Sequence, residues 1–280
     1  MRNLLLTGIS ALLLVLAITG CGSGREGPPA VVRSAPYRAY LEENAASLVR
    51  AIQAMLPELE HGEVSRAQSR FVRARVRYSQ IEPAAKAFPQ LNARIDGLPR
   101  QVTESRLTGF HRIERELWEA EDAAGMTAVA RRLLADTKQL QEDLVSADFS
   151  AQELAGGARR ILSEISTVKL TNKEDVYSGA DLVEVSGNLE AVGAAFGALR
   201  PILTESERAR LRTLLHRAYA KVAEYGTPAR DPDQPRDLSP GAIFIVFDEL
   251  SPDEVEQLDR PIRALGGAFS EVDTRLQEVD

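Results

Sequence analysis

The segment 109–118 holds the residue types best suited to metal chemistry. His111 and Glu114 are three positions apart, so on a helix their side chains lie on one face, one turn apart. An imidazole nitrogen and a carboxylate oxygen at that spacing can bind one metal ion together. The same spacing occurs in ordinary hydrogen-bonded pairs on helix surfaces, so by itself it indicates metal binding only weakly.

Two further segments carry carboxylates that folding could bring to this pair. Glu82 ends an amphipathic stretch, and a short hairpin would place it opposite the histidine. Asp181 begins another helical segment, on which Asp181, Glu184 and Asn188 share one face. Each has a plainer interpretation: Glu82 as a carboxylate near a helix end, and Ser178 with Asp181 as a capping box. The residues alone do not decide between these interpretations.

The composition limits the chemistry further. The 280 residues include 34 basic and 41 acidic side chains, a formal charge of −7, and an acidic chain repels nucleic-acid phosphates. The single cysteine excludes an intrachain disulfide framework and a cysteine-rich zinc site. With only three histidines, any metal site must be mostly carboxylate. His61 and His216 have no acid three residues later and are predicted to be structural or solvated.

Apolar residues recur at helical spacing from residue 35 to residue 225. The clearest stripe begins at Val64 and continues through Phe71 to Ile81. The arginines on its other faces, predicted to be solvated rather than an anion site, are Arg66, Arg70, Arg73 and Arg77. Similar runs cover roughly 37–59, 104–120, 126–145, 151–166, 180–199 and 205–225. We therefore expect an all-α protein, an up-and-down helical bundle of the four-helix type, with polar sites where helices face one another.

The pattern changes near the C-terminus. Four prolines fall between residues 227 and 241, which predicts a loop. Periodicity cannot assign the short apolar run 242–247, and a helix or extended packing segment is favoured because a strand has no evident partner. Ser251 and Pro252 then begin a last helix, as N-cap and first helical residue. Residues 36–280 are thus expected to form one helical domain around a Pro-rich loop.

The first 20 residues are typical of a signal peptide. Arg2 precedes an apolar run that ends in Ile-Thr-Gly-Cys at 18–21. That tetrapeptide resembles a bacterial lipobox, whose cysteine carries lipid, and Cys21 is the one cysteine of the chain. We expect a lipidated Cys21 followed by a flexible tether over 21–35. A plain secretory peptide and an N-terminal membrane anchor are the alternatives.

Five segments, taken together and in order, carry a family resemblance. They are Tyr-Ser-Gln-Ile-Glu-Pro at 78–83, the HxxE segment 109–118, Leu-Ala-Asp at 134–136, Thr-Val-Lys-Leu-Thr at 167–171, and 177–188. They resemble the imelysin-like family, most closely its EfeO-type members, the extracytoplasmic proteins of bacterial iron uptake. The similarity covers roughly residues 36–225 and implies a helical bundle with a metal site that contains the HxxE pair.

Carried over by position, the resemblance makes His111 and Glu114 metal ligands, with Glu82 and Asp181 as partners and Asp136 as a weaker candidate. It implies iron, ferrous or ferric, although zinc or copper can occupy such a site in vitro. Where the family has Tyr-Ser-His-Thr-Asp this chain has Tyr-Ser-Gly-Ala-Asp at 177–181, which removes a nitrogen ligand. Residues 97–100 replace an acidic run, so a second metal site nearby is not expected.

Three functions compete at this point. The favoured one is an iron-binding lipoprotein, extracytoplasmic and anchored to the membrane by lipid. It would deliver iron to a membrane permease, with the permease and peroxidase components of an uptake system as partners and no nucleic acid. An HxxE metallopeptidase needs a general base that no HExxH motif supplies here, so the chain is not expected to be an enzyme. A metal-independent lipoprotein that binds polysaccharide or a protein is the third, although 5% aromatic content argues against sugar stacking.

Overall fold

The computed structural model describes residues 34–98, 107–227, 243–244 and 247–279. The secondary-structure elements of these residues are all helical except for one pair of two-residue strands, and loops connect them, which confirms the predicted all-α bundle. The helices described are α1 (Ala35–Glu60), α2 (Val64–Ser79), α3 (Glu82–Ala85), α4 (Pro89–Asp96), α5 (Gly109–Trp118), α6 (Met126–Ser146), α7 (Ala151–Thr167), α8 (Asp181–Leu199), α9 (Glu205–Ala223) and α10 (Pro252–Val279). Single 3-10 turns lie at Lys169–Thr171, Arg200–Ile202 and Phe247–Glu249.

The long helices form two groups of four. Helices α1, α2, α5 and α6 contact one another in a ring, and α7, α8, α9 and α10 form a second ring. The groups meet where α8 packs against α2 and α1, and the buried apolar side chains of both form one continuous core. The single up-and-down bundle expected from the sequence is therefore two four-helix groups that share a core.

Helix α8 carries polar groups into that core. It is buried over most of its length, because its neighbours cover it on several sides. Gly187 allows α8 to approach α2 closely, since a Cβ at this position would lie 3.0 Å from the Val76 carbonyl oxygen and collide with Ser79 Oγ. The polar side chains that α8 buries are Asp181, Glu184, Ser186 and Asn188.

The predicted helix ends agree closely with the observed ones except near the candidate site. Of the helix predicted over 104–120, the described part begins only at Gly109. The helix predicted over 64–81 ends at Ser79, and Glu82 starts the separate short helix α3. Pro89 begins α4, where its missing N–H group costs nothing.

A pair of short strands flanks the segment that is predicted to be a Pro-rich loop. Ile243–Phe244 pairs antiparallel with Gly226–Thr227, so the expectation that a strand here lacks a partner is wrong. Residues 228–242, most of the predicted loop, lie outside the described residues. Ser251 caps α10 as predicted: its hydroxyl accepts a hydrogen bond from the Glu254 N–H at 3.4 Å, and Glu254 Oε2 accepts one from the Ser251 N–H at 2.8 Å.

The N-terminal expectations lie outside the described residues. These are the signal peptide 1–20, Cys21 and nearly all of the tether over 21–35; α1 is already helical from Ala35. Among the helices that are described, none is both long and apolar enough to cross a membrane.

Candidate metal centre

A cluster of charged side chains is buried where the two helix groups meet. Each member is at most 7% exposed. The members of this charge cluster are Arg75, Glu82, Asp96, His111, Glu114, Lys169, Glu174, Asp175, Asp181 and Glu184. Its seven carboxyl groups outnumber its three basic groups, so the cluster can accept additional positive charge.

The HxxE pair is formed on one face of α5. His111 Nδ1 lies 2.9 Å from Glu114 Oε2. The other oxygen of Glu114, Oε1, accepts hydrogen bonds from the N–H groups of Tyr177 (3.1 Å) and Ser178 (2.9 Å) and from the Ser178 hydroxyl (3.0 Å). The capping-box interpretation of Ser178 and Asp181 is therefore wrong, because α8 has no side-chain hydrogen bond at its N-cap. Glu114 instead ties α5 to the segment before α8.

Gly109 sets the position of His111 relative to α4. Its φ is +65°, and a Cβ here would lie 2.5 Å from the Arg94 carbonyl oxygen and collide with that of Ile95. Glycine therefore allows α5 to begin directly against the end of α4. The approach places Asp96, the last residue of α4, with its Oδ1 3.4 Å from His111 Nε2.

We expect Gly109→Ala to lower the free energy of unfolding by about 3 kcal/mol or more, because a left-handed φ and a backbone collision act together. Gly62→Ala is the matched control, since Gly62 has a φ of +72° but a Cβ at that position would meet nothing within 4 Å. That control should cost only about 1 kcal/mol. Urea unfolding followed by circular dichroism measures both. If both variants lost the same free energy of unfolding, the close contact between α4 and α5 would not require glycine at position 109.

His111 belongs to two groups of potential metal ligands. The Nδ1 group contains His111, Glu114 and Asp175, and the Nε2 group contains His111, Asp96 and Glu174. Within each group the three ligand atoms lie within 4.8 Å of one another. In the Nδ1 group, Asp175 Oδ1 is 3.8 Å from the imidazole nitrogen. The structure thus brings the predicted pair together and adds acids that the sequence did not single out.

The other predicted ligands lie outside these two groups. Glu82 and Asp181 are members of the charge cluster. Glu82 Oε2 accepts a hydrogen bond from the Asn188 amide at 2.9 Å and lies 3.6 Å from Lys169 Nζ. Neither carboxylate oxygen of Asp181 has a hydrogen-bond partner among the described residues. Asp136 forms ion pairs with two arginines at 2.9 and 3.4 Å. That these residues bind metal remains a prediction.

Two buried cations hold the carboxylates of the cluster. The four carboxylates that Arg75 contacts are Asp96, Glu174 (3.1 Å), Asp175 (3.3 Å) and Glu184 (2.7 Å). Lys169 Nζ donates to Glu174 Oε1 at 2.6 Å and to Glu184 Oε2 at 2.7 Å. The acids are therefore partly neutralised by the protein itself.

The family model described as Imelysin, Peptidase M75, matches residues 34–237, which is most of the chain. The chain belongs to the imelysin family. The match spans both ligand groups and both buried cations, so the whole charge cluster lies within the imelysin region.

Relatives with curated names are components of iron uptake systems. Iron uptake system component EfeM of Bacillus subtilis (strain 168) is 26% identical over 255 residues, which is 89% of this chain and 63% of the relative. EfeM of Pseudomonas syringae pv. syringae (strain B728a) is 29% identical over 177 residues, 62% of each chain. EfeO of Escherichia coli (strain K12) is 29% identical over 174 residues, 61% of this chain and 46% of the relative. The imelysin chain thus spans about half to just under two thirds of the length of these relatives.

The histidine of the imelysin site is held as a cation. Burial lowers the pKa of His111, but hydrogen bonds to Asp96 and Glu114 outweigh that effect and raise the pKa to about 9. The protonated ring donates a hydrogen bond from Nδ1 to Glu114 Oε2, so an ion bound at Nδ1 has to displace that proton.

Other acids of the cluster hold protons for a different reason. Burial raises the pKa of Asp175 far above its usual range, although Arg75 opposes the change. Burial, together with the charges of Glu174 and Glu184, raises the pKa of Asp181 to about 8. These protons balance the excess of carboxyl groups, and a bound cation would take their place.

The sequence reasoning missed Arg75 and Lys169 and the acids Asp96, Glu174 and Asp175. A signal for Arg75 was present: it is four residues after Phe71, a core residue of the α2 stripe, and so lies on the buried face. Glu174 and Asp175 lie just before the last segment of the family resemblance, 177–188, and are separated from it by one residue. His61 and His216 are exposed, as expected of solvated residues.

Proposed function

We propose that this imelysin chain is an extracytoplasmic iron-binding protein of a bacterial iron uptake system, which delivers iron to a membrane permease. The observation that carries the proposal is the buried charge cluster, in which seven carboxyl groups surround an imidazole and only two other bases. The names of the relatives from Bacillus subtilis and Escherichia coli support iron as the ion.

The Nδ1 group is the proposed position of the iron. His111 Nδ1, Glu114 Oε2 and Asp175 Oδ1 offer one nitrogen and two oxygens from two separate segments. Glu82 and Asp181 are the further ligands that the family resemblance implies. A nitrogen and several carboxylate oxygens suit ferrous or ferric iron, and zinc or copper would bind them in vitro.

Unsatisfied polar atoms in the cluster also support a bound cation. Ten buried side-chain nitrogen or oxygen atoms of the described residues lack a hydrogen bond, and eight of them belong to the cluster and its neighbour Asn188. Two oxygens among the eight are in ion-pair contact instead: Glu82 Oε1 lies 3.0 Å from Lys86 Nζ, and Asp175 Oδ1 lies 3.3 Å from Arg75 Nη2. Both oxygens of Asp175 and both of Asp181 are among these eight. Buried polar atoms are nearly always satisfied in folded proteins, so this concentration is best explained by a charged ligand.

Delivery requires other proteins and a location outside the cytoplasm. In this proposal the partners are the iron permease and the peroxidase component of the uptake system, and lipid on Cys21 holds the chain at the membrane. A protein that is anchored near the permease keeps its bound iron close by, which raises the effective concentration of iron where it is taken up.

Replacing Cys21 with serine should release the protein from the membrane fraction, because lipid on that residue is the proposed anchor. Fractionation of cells that produce each form, with a high-salt wash, measures the effect. Ser23→Ala in the same segment is the control and should stay with the membranes. A Cys21→Ser protein that remained bound after the wash would contradict the lipid anchor.

Metal titration tests the proposed function. Protein treated with a chelator is titrated calorimetrically with ferrous iron under anaerobic conditions, and its melting temperature is recorded with and without iron. We expect saturable binding of one ion per chain and a higher melting temperature, because a ligand bound only by the folded state stabilises it. No binding and an unchanged melting temperature would favour the metal-independent function. If the protein cleaved peptides and a chelator stopped the cleavage, the result would favour the metallopeptidase function.

A further inference from the structure

Helix α2 carries an unbalanced row of positive charge on its outer face. Its 16 residues include five arginines and no acid, in a chain whose net charge is −7. Arg75 enters the charge cluster, whereas Arg73 and Arg77 lie two positions to either side of it, about 200° around the helix, and so on the opposite face. Like charges three or four residues apart repel one another along a helix, so anions that neutralise this face would stabilise it. The arginines of the outer face are Arg66, Arg70, Arg73 and Arg77.

Three of these arginines line a groove of about 310 Å³ between α1 and α2. On the α1 side the groove is lined by Arg50 and by the small side chains of Ala51 and Ala54, which leave the space above them open. Positive charge therefore borders the groove on both of its walls. The four arginines of this arginine groove are Arg50, Arg70, Arg73 and Arg77.

The positive charge of the arginine groove is largely uncompensated within the described residues. One acid pairs with it: Glu58 Oε1 lies 3.6 Å from Arg70 Nε. Arg50 and Arg77 donate hydrogen bonds to neutral side-chain oxygens, at 2.8 and 3.1 Å respectively. Arg73 is exposed and has neither an ion pair nor a side-chain hydrogen bond within the described part of the chain. Most of the donors of the groove are therefore free to bind an anion.

We propose that the arginine groove binds a small polyanion, a free molecule that carries several carboxylate or phosphate groups. Each guanidinium presents N–H donors in a planar fork that matches two oxygens of such a group, and four guanidinium groups favour a ligand with more than one of them. A recessed site favours a small molecule over a flat membrane surface, because Arg70 and Arg77 are half-buried between the helices. The inference goes beyond the proposed iron-binding function and does not depend on it, since the groove and the charge cluster lie on opposite faces of α2.

Calorimetric titration with citrate and with pyrophosphate tests the groove directly. Chelator-treated protein, freed of the chelator by dialysis, is titrated with each anion at low ionic strength and, for comparison, with acetate, which carries a single charge. We expect saturable binding of citrate or pyrophosphate at one molecule per chain and no measurable binding of acetate. The affinity should fall as salt is added, because salt screens exposed charges.

Arg73→Gln combined with Arg77→Gln removes two of the four cations and should weaken this binding at least about tenfold, because hydrogen bonds to charged groups are lost. Arg212→Gln combined with Arg217→Gln is the matched control. It removes the same charge from exposed positions on α9 and should bind the anion as the wild type does. Far-ultraviolet circular dichroism checks the fold, and Arg73→Gln alone, with a smaller loss expected, provides the test if the double variant does not fold.

Equal affinities in the groove variant and the control variant would overturn the inference, because the anion would then bind elsewhere. Binding to neither soluble anion would also overturn it and leave the arginines solvated, as predicted from the sequence. In that case, binding to phosphatidylglycerol vesicles but not to phosphatidylcholine vesicles would make this face a membrane contact, and binding to a hexaglutamate peptide would make it a contact for an acidic protein. A chain that binds the anion but no iron would overturn only the proposed function.

Discussion

Replacing His111 with alanine should weaken iron binding by about a hundredfold or more, because the variant loses the one nitrogen donor of both ligand groups. Glu114→Gln should have a similar effect for a separate reason. The glutamine carbonyl oxygen can still accept the hydrogen bonds from Tyr177 and Ser178, but the neutral amide is a poor replacement for a carboxylate ligand. Calorimetric titration with ferrous iron measures both.

The control for these variants is His216→Ala. His216 is exposed on α9, so its removal should change neither iron affinity nor helix content. Far-ultraviolet circular dichroism of each variant separates lost binding from lost structure. Wild-type affinity in both His111→Ala and Glu114→Gln would remove the HxxE pair from the site and leave the metal-independent function.

Replacing Lys169 with methionine should lower the free energy of unfolding by about 3–5 kcal/mol, the usual effect of removing one partner from a buried ion pair. Lys169 is fully buried, and its ammonium group donates hydrogen bonds to Glu174 and Glu184. Methionine preserves much of the apolar stem, so the loss reports the charge rather than the packing. Thermal and urea unfolding of the chelator-treated protein measure the effect.

Lys173→Met provides the comparison for this prediction. Lys173 lies four residues further along the chain, is exposed, and its replacement should change the stability by less than about 0.5 kcal/mol. Comparable stabilities of the two variants would mean that water or a rearranged cation compensates Glu174 and Glu184. The proposed role of Lys169 in neutralising the cluster would then be wrong.

Much of the fold could be predicted because apolar spacing determines which helix faces are buried. The stripe through Phe71 and Tyr78 on α2 and the one through Phe110, Ile113 and Leu117 on α5 are fully buried, as the periodicity indicates. The division into two four-helix groups could not be predicted, because periodicity specifies a buried face but not the helix that covers it. The strand pair was missed for a similar reason: the partner of Ile243–Phe244 lies 17 residues earlier, at Gly226–Thr227.

The candidate site was only partly predictable. The spacing of His111 and Glu114 fixes their contact within one helix, so the pair is local and could be found. Arg75 falls on the buried face of the α2 stripe, but a long charged side chain on such a stripe normally extends to water. Only the tertiary contacts show that four carboxylates surround it. Pairing between distant segments is a property of the assembled helices, and no local pattern encodes it.

The strand pair at the C-terminal side has a consequence for how this fold can vary. Gly226–Thr227 and Ile243–Phe244 hold the two ends of the intervening segment side by side through backbone hydrogen bonds. The entropic cost of closing a loop rises slowly with the length of the loop, by about 0.6 kcal/mol for each doubling. An insertion between these strands, even a whole additional module, would therefore leave the neighbouring helices in place. This position is where an epitope or a fluorescent domain is best introduced, and where evolution can lengthen the chain without reshaping the buried cluster.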